Sequence, residues 1–299
     1  MGGQPTVGLS GCGMGTVRVL VTRPARDALA WARQLHRSGI QAEAFPLIEI
    51  APLAAAANVQ ALEQAWQSLA SYSACMFVSS HAVAHFFGPN PAYVQLLRSL
   101  LAINTIVGGS AAQLRFMAPG PGTVAALVAA GIPPDRIDAP APDARQFDSE
   151  ALWQVIGQRD WRGRGVLVLR GQGADAVPGS TASSGRDWLA RKWEAAGAQV
   201  DFLSVYQRRA PQLGEAELRR AVDASADGSV WLFSSSEAVA NLTGLPGMAG
   251  LDWRGARAIA THPRIAETVR ALAWGVVVES RPALADVRSA IGSIESAHP

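Results

Sequence analysis

The chain has 299 residues, of which 49% are hydrophobic and 17% charged, and its net charge is +2. That length allows two ordinary domains, and that balance excludes global disorder. Arginine carries the positive excess, Lys192 being the only lysine, and no basic run marks a nucleic-acid or polybasic-membrane binder. Two cysteines, Cys12 and Cys75, make neither a disulfide framework nor a zinc site and fit a reducing, cytoplasmic compartment.

Residues 1–16 read as a disordered leader. Leu9-Ser10-Gly11-Cys12 resembles a lipoprotein cleavage box, but no basic residue or apolar run precedes it. Gly11, Gly13 and Gly15 imitate a dinucleotide fingerprint, yet they come before the first strand instead of after it. No stretch approaches the ~18–20 apolar residues that span a bilayer.

From Val17 the chain alternates strand and helix. Val17–Pro52 runs VRVLVTRP, ALAWARQLHRSG, IQAEAFPLIEIAP, which reads strand, helix, extended run. Gly165–Pro211 repeats that order with GVLVLRG, RDWLARKWEAAG, AQVDFLSVYQRRAP, after an inserted surface loop over roughly 172–185. Both helices end in glycine, Gly39 and Gly197, where a left-handed residue closes a helix. FVSSHAVAHF (77–86) has an echo in FSSSEAVANL (233–242), identical at six of ten positions. INTIVGGSAAQLRFM (103–117) and RAIATHPRIAETVRAL (257–272) follow in the same order. This ordered set points to a duplicated chain. Near-continuous apolar strands covered by helices imply parallel sheets buried on both faces. The expected fold is therefore two parallel-sheet α/β domains joined by a two-stranded β connector.

Ligands of open parallel sheets sit beyond the strand C-termini, where helix N-termini offer unpaired amides and partial positive charge. Thr22-Arg23, Ser79-Ser80, Gly108-Gly109-Ser110, Arg170-Gly171, Ser234-Ser235-Ser236 and Thr261-His262-Pro263-Arg264 all follow apolar strands. Each is also an ordinary helix cap, worth about 1 kcal/mol. As a set on one edge they suit an inter-domain cleft for a large polyanion of carboxylates or phosphates. Phosphate-loop, dinucleotide and nucleophile-elbow motifs are missing. His81 and His85 share a helix face at metal-binding spacing, but no third ligand is evident. These residues leave three readings open: an enzyme that folds its substrate, a non-catalytic two-domain polyanion-binding protein, and a nucleotide-dependent transferase.

The chain resembles the uroporphyrinogen-III synthase family from Val17 to about Ile291. The likeness rests on VLVTRP (19–24), FPLIEIAP (45–52), FVSSHAV (77–83), IVGGSAA (106–112), Asp148–Leu152, VLVLRG (166–171), GAQVDFLSVYQRRAP (197–211), FSSSEAV (233–239) and THPRIAETVRAL (261–272). The resemblance implies a discontinuous first domain, 17–46 with 210–299, a second over 53–203, and connectors at 47–52 and 204–209. It implies a cofactor- and metal-free lyase of tetrapyrrole (haem) biosynthesis. Such an enzyme closes hydroxymethylbilane into uroporphyrinogen III, inverting ring D and losing water. Departure of the terminal hydroxyl leaves an electrophilic azafulvene, and ring D attacks through its substituted carbon to give a spiro intermediate that rearranges. The substrate's eight carboxylates are the polyanion that the strand ends suggest. The small-molecule substrate is the expected partner of a monomer, with at most transient contact to the preceding pathway enzyme.

By the same resemblance Tyr206 is the expected acid for the departing hydroxyl. Thr22, Arg23, Ser79, Ser80, Arg170, Ser235, Ser236 and Arg264 are expected to hold carboxylates. Arg186 takes the place of a basic residue after the RG turn, displaced by the insertion. Ser110 substitutes for a hydroxyl residue where Ala111 stands, and His262 replaces a threonine.

Overall fold

The computed structural model describes residues 17–89, 92, 93, 95, 114–173 and 186–297. The leader, Ser110 with the turn around it, and most of the 172–185 loop lie outside these residues. The first segment folds as β1 (Arg18–Val21), α1 (Ala25–Arg37) and β2 (Gln41–Ala44). The middle of the chain follows with β3 (Glu49–Pro52), α2 (Ala56–Gln67), β4 (Ala74–Phe77), α3 (Ser80–Phe87), β5 (Arg115–Met117), α4 (Pro121–Ala129) and β6 (Ile137–Asp138). It continues with α5 (Ser149–Ile156), β7 (Gly165–Gln172), α6 (Arg186–Ala195) and β8 (Gln199–Arg209). The last segment adds α7 (Glu215–Asp223), β9 (Val230–Phe233), α8 (Ser236–Thr243), β10 (Arg257–Ala260), α9 (Pro263–Arg270), β11 (Val276–Glu279) and α10 (Leu284–Ala297).

The chain divides into two compact units, residues 1–48 with 211–299 and residues 49–210. The first unit holds a five-stranded sheet in the order β11-β10-β9-β1-β2, all pairs parallel. Alternation along its strands sends Val19, Val21, Val230, Leu232 and Ile259 to a face covered by α1 and α10. Helix α1 supplies Ala28, Ala32 and Leu35 there, one stripe at helical spacing. Its end needs Gly39, at φ 79°, as Gly197, at φ 86°, closes the corresponding turn after α6. The opposite face is aromatic: Trp231 and Phe233 lie against Trp274, which stacks on Trp253 at 4.8 Å.

The second unit holds six strands in the order β3-β8-β7-β4-β5-β6. All pairs are parallel except β3 with β8. Leu167 and Leu169 of β7 enter a core with Trp66, Phe77 and Phe86, whereas Val166 and Val168 enter another with Met76, Trp161 and Trp193. Both faces are therefore buried, as continuous apolar strands require.

The extended run 40–52 is not one element. It divides into β2 and β3, which belong to different sheets. Pro46 has no amide to give a ladder. The chain instead leaves β2 through Phe45, whose amide donates to the Val21 carbonyl, and Leu47, whose carbonyl accepts from Asn241 Nδ2 at 2.7 Å. Its counterpart β8 stays continuous for eleven residues. The first part of β8 runs parallel to β7, and its last residues pair antiparallel with β3 in the register Glu49↔Arg209 to Pro52↔Tyr206.

At the far edge of this sheet, Asp138 is 5% exposed and takes paired hydrogen bonds from Arg115 and Arg159 at 2.5–2.9 Å. Burial pushes its carboxyl up, but the bonds from Arg159 and Arg115 outweigh that and hold it below the ordinary carboxylate value. Both arginines stay about a third exposed. Asp138→Asn should therefore cost about 3 kcal/mol at most, read by urea unfolding at neutral pH. Because the folded carboxyl is depressed, that advantage is present above the unfolded value. It is lost as pH falls through the folded one, so wild type and variant should converge in acid.

Candidate functional site

The strand-end turns become short segments of extended backbone that start helices. Ser79 (φ −163°) caps α3 and accepts the Ala82 amide at 3.2 Å. Ser235 (φ −156°) caps α8 and accepts the Glu237 amide at 3.1 Å. His262 caps α9 through Nδ1, which accepts the Arg264 amide at 3.1 Å, with Pro263 in the first helical position. An accepting Nδ1 carries no hydrogen, so the neutral ring has its hydrogen on Nε2.

In the first unit β10, β9 and β1 are adjacent and parallel, with Ala260↔Phe233 and Val21↔Leu232 close to their ends. One sheet edge thus carries Arg23, Ser235, Ser236, His262 and Arg264. Thr22 belongs to this edge, but its side chain is 1% exposed and its hydroxyl donates to the Leu232 carbonyl at 2.8 Å. The Arg23 guanidinium lies 4.5 Å over the Trp31 ring. Burial pushes its pKa below the arginine value, opposed by the charge of Asp27, and its Nε has no hydrogen-bond partner among the described residues. Thr268 bridges the neighbouring helix starts: its hydroxyl donates to the Arg264 carbonyl at 2.9 Å and lies 3.2 Å from Ser236 Oγ.

In the second unit the ends of β4 and β7 are adjacent, with Phe77↔Leu169. Here β8 carries a bulge. Arg170 pairs with Ser204, but Gly171 pairs with Tyr206, so Val205 has no partner in the register. Tyr206 lies over Gly171 as a result. A Cβ on Gly171 would fall 2.3 Å from Cε2, 2.4 Å from Cζ and 2.8 Å from the hydroxyl of Tyr206, so only glycine leaves room for the ring. From α3, the His85 ring stacks on Tyr206 at 5.6 Å and 29°, and His81 lies at 6.0 Å and 57°. Burial, then the neighbouring His81, hold the His85 imidazole below its ordinary value. Tyr206 Oη lies 3.0 Å from Ser79 Oγ.

The structure therefore joins Tyr206 directly to Ser79, with Ser80 in the first helical position beside it. Arg170 is turned away from them. Its guanidinium lies 4.5 Å over Phe202, which packs with Met76 and Trp193 on the other face of the sheet. Arg186 begins α6, but its side chain lies outside the described residues, as does Ser110. Sequence reasoning missed His85 and Gly171 as neighbours of Tyr206. The i, i+4 histidine spacing and the RG turn were the available signals, but neither says which distant strand lies against them. Among the described residues no group of three or more His, Cys, Asp or Glu could hold a metal ion. Gly171→Ala should cost about 1–3 kcal/mol by displacing Tyr206, measured by denaturant unfolding. Gly173→Ala, with nothing among the described residues within 4 Å of its Cβ, should stay within about 0.5 kcal/mol of wild type.

The family model for uroporphyrinogen-III synthase HemD matches residues 30–287. The uroporphyrinogen-III synthase of Salmonella typhimurium is 31% identical over 199 residues, which cover 67% of this chain and 68% of that protein. In fold the chain is similar to a mutant uroporphyrinogen III synthase from the extremely thermophilic bacterium Thermus thermophilus, with TM-score 0.56 and 16% identity over 94% of this chain and 100% of that one. It is also similar to uroporphyrinogen-III synthetase from Helicobacter pylori 26695, with TM-score 0.51 and 12% identity over 93% and 99%. These two likenesses bear on the fold alone. The profile match and the Salmonella relative bear on descent, and the chain belongs to the uroporphyrinogen-III synthase family.

Proposed function

We propose that the chain is a uroporphyrinogen-III synthase, which closes hydroxymethylbilane with inversion of ring D and loss of water. Family membership across residues 30–287 is the observation that carries this reading. The reaction is redox-neutral and its atoms balance without a co-reactant: one hydroxyl and one proton leave as water.

Tyr206 is the acid in this proposal. Its hydroxyl gives a proton to the terminal hydroxyl as the C–O bond breaks. The proton returns when the rearranged ring loses its own hydrogen. Support comes from the position of Tyr206, at the C-terminal edge of the second unit's sheet and held on three sides by Gly171, His85 and Ser79. A held acid suits a reaction in which geometry, not nucleophilic attack by the protein, selects the product.

Arg23, Ser80, Ser235, Ser236, His262 and Arg264 take substrate carboxylates together with the first-turn amides of their helices. Arg23 is the best supported, because stacking on Trp31 fixes a guanidinium whose Nε has no bonded partner among the described residues. Arg186 and Ser110 remain in the proposed set on the family resemblance alone, whereas Arg170, with its guanidinium over Phe202, is left out of it. Thr22 serves it through backbone geometry, its hydroxyl being engaged inside the sheet. A reducing, cytoplasmic compartment fits the sparse cysteine content, and the monomeric state rests on the family resemblance alone. Among the described residues no helix is long and apolar enough to cross a membrane.

Incubation with hydroxymethylbilane, followed by oxidation and separation of the isomers, should give type III product. Type I alone, at the uncatalysed rate, would overturn the reading and favour a binding protein. Tyr206→Phe should lower kcat by roughly a hundredfold with KM little changed. Wild-type turnover would remove Tyr206 from the chemistry. Arg23→Gln should raise KM by roughly ten- to a hundredfold, the weight of a lost charged hydrogen bond.

A further inference from the structure

Tyr206 is 2% exposed, so a proton that starts on its hydroxyl needs a way out to a ligand. Among the described residues the hydrogen-bonding neighbour of Oη is Ser79 Oγ, at 3.0 Å. Were Ser79 the donor, the phenol hydrogen would be buried without an acceptor, which is unfavourable. Ser79 is half-buried, and a hydroxyl hydrogen there can still reach solvent or a ligand. Tyr206 is accordingly the donor and Ser79 the acceptor. A serine hydroxyl has two lone pairs and one hydrogen. One lone pair of Ser79 takes the Ala82 amide at 3.2 Å, and the other takes the Tyr206 hydrogen. Both accepting positions are thus used by the protein, and the Ser79 hydrogen has no acceptor among the described residues. It stands where β4 gives way to α3, at the strand end where ligands of parallel sheets sit.

We propose that Ser79 is the catalytic residue that touches the leaving group: it gives its hydroxyl hydrogen to the departing hydroxyl of the substrate and takes the Tyr206 hydrogen in its place. This rests on the reading of Tyr206 as the acid and supplies the route by which its proton reaches the substrate. It assigns the Ser79 side chain to the leaving oxygen instead of to a substrate carboxylate. In the step itself the Ser79 O–H bond breaks and its hydrogen joins the leaving oxygen. The Tyr206 O–H bond breaks and its hydrogen joins Ser79 Oγ. The substrate C–O bond breaks, its electron pair leaves with water, and the carbon is left electrophilic. The negative charge ends on the phenolate, and Ser79 ends as a neutral hydroxyl whose new hydrogen is bonded to that phenolate. This bond is charge-assisted, which favours the transition state over the ground state. The relay runs backwards when the rearranged ring gives up its hydrogen, so no co-reactant is needed.

A double-mutant cycle on the full chain tests this, with hydroxymethylbilane as substrate. Ser79→Ala should lower kcat by roughly a hundredfold, as much as Tyr206→Phe, with KM little changed. In a Tyr206→Phe background Ser79→Ala should then have no further effect on kcat. Two variants separate the relay from the helix cap. Ser79→Thr keeps both the cap and an exchangeable hydroxyl and should recover most of the activity. Ser79→Asn keeps the cap, and so the melting temperature, but has no hydroxyl and should stay as slow as Ser79→Ala. Full activity in Ser79→Asn, or none recovered in Ser79→Thr, would overturn the relay. So would a raised KM at unchanged kcat in Ser79→Ala, which would make Ser79 a carboxylate ligand. Wild-type kinetics in Ser79→Ala, or equal losses of kcat in both backgrounds, would also overturn it while leaving Tyr206 as an acid that acts directly. Wild-type turnover in Tyr206→Phe would overturn the acid itself and, with it, this role for Ser79.

Discussion

Strand β8 is the constraint on which most of the second unit depends. It pairs parallel with β7 on one side and antiparallel with β3 on the other. Its alternation must satisfy two neighbours at once while its residues feed both faces of the sheet. The bulge opposite Gly171 reconciles these demands. It takes one residue out of register and so brings Tyr206, not Val205, beside the end of β7. Without that slip, strand alternation would send the phenol to the face that holds Trp193. The position of the proposed acid is thus a result of sheet register, and the missing side chain at Gly171 leaves the space that this register needs.

The helix starts show how one local device serves different ends. Ser79, Ser235 and His262 all hold extended backbone and accept an amide from the first turn. Taken alone, each is a cap with a stability role. What separates them is the second bond each environment offers. Ser79 faces Oη of a tyrosine from a distant strand. Ser235 and Ser236 belong to an edge where Thr268 ties one helix start to the next. Capping explains why serine and histidine stand at these positions, and the neighbour explains what else they do.

The α/β architecture was legible because its signals are local. Apolar runs such as VLV and MF mark strands, and Gly39 and Gly197 mark helix ends through a backbone angle that other residues avoid. The strand-end serines were legible for the same reason. The boundary between β2 and β3 was harder, since both halves of 40–52 are equally extended and only Pro46 hints at a break. The neighbours of Tyr206 were not legible. His85 reads as half of a metal pair and Gly171 as a turn residue until β8 is laid beside them, and that pairing is a property of the sheet. Arg170 shows the converse. Its spacing from the strand suggests a ligand contact, but the parity of β7 sends its guanidinium onto Phe202.

The order of strands in the first sheet has a consequence for synthesis on the ribosome. Strand β1 lies between β2 and β9, and the residues that pair across its second edge, such as Val21 and Leu232, are separated by the whole second unit. At typical elongation rates of about 5–20 residues per second, that edge waits roughly ten seconds or more while the second unit emerges and folds. During the wait RVLV is a short apolar strand with one bare edge, the kind of segment that pairs with whatever is nearest. Until β9 arrives the strand–helix–strand segment thus carries an unpaired apolar edge, although in the finished protein Val19, Leu20 and Val21 are fully buried.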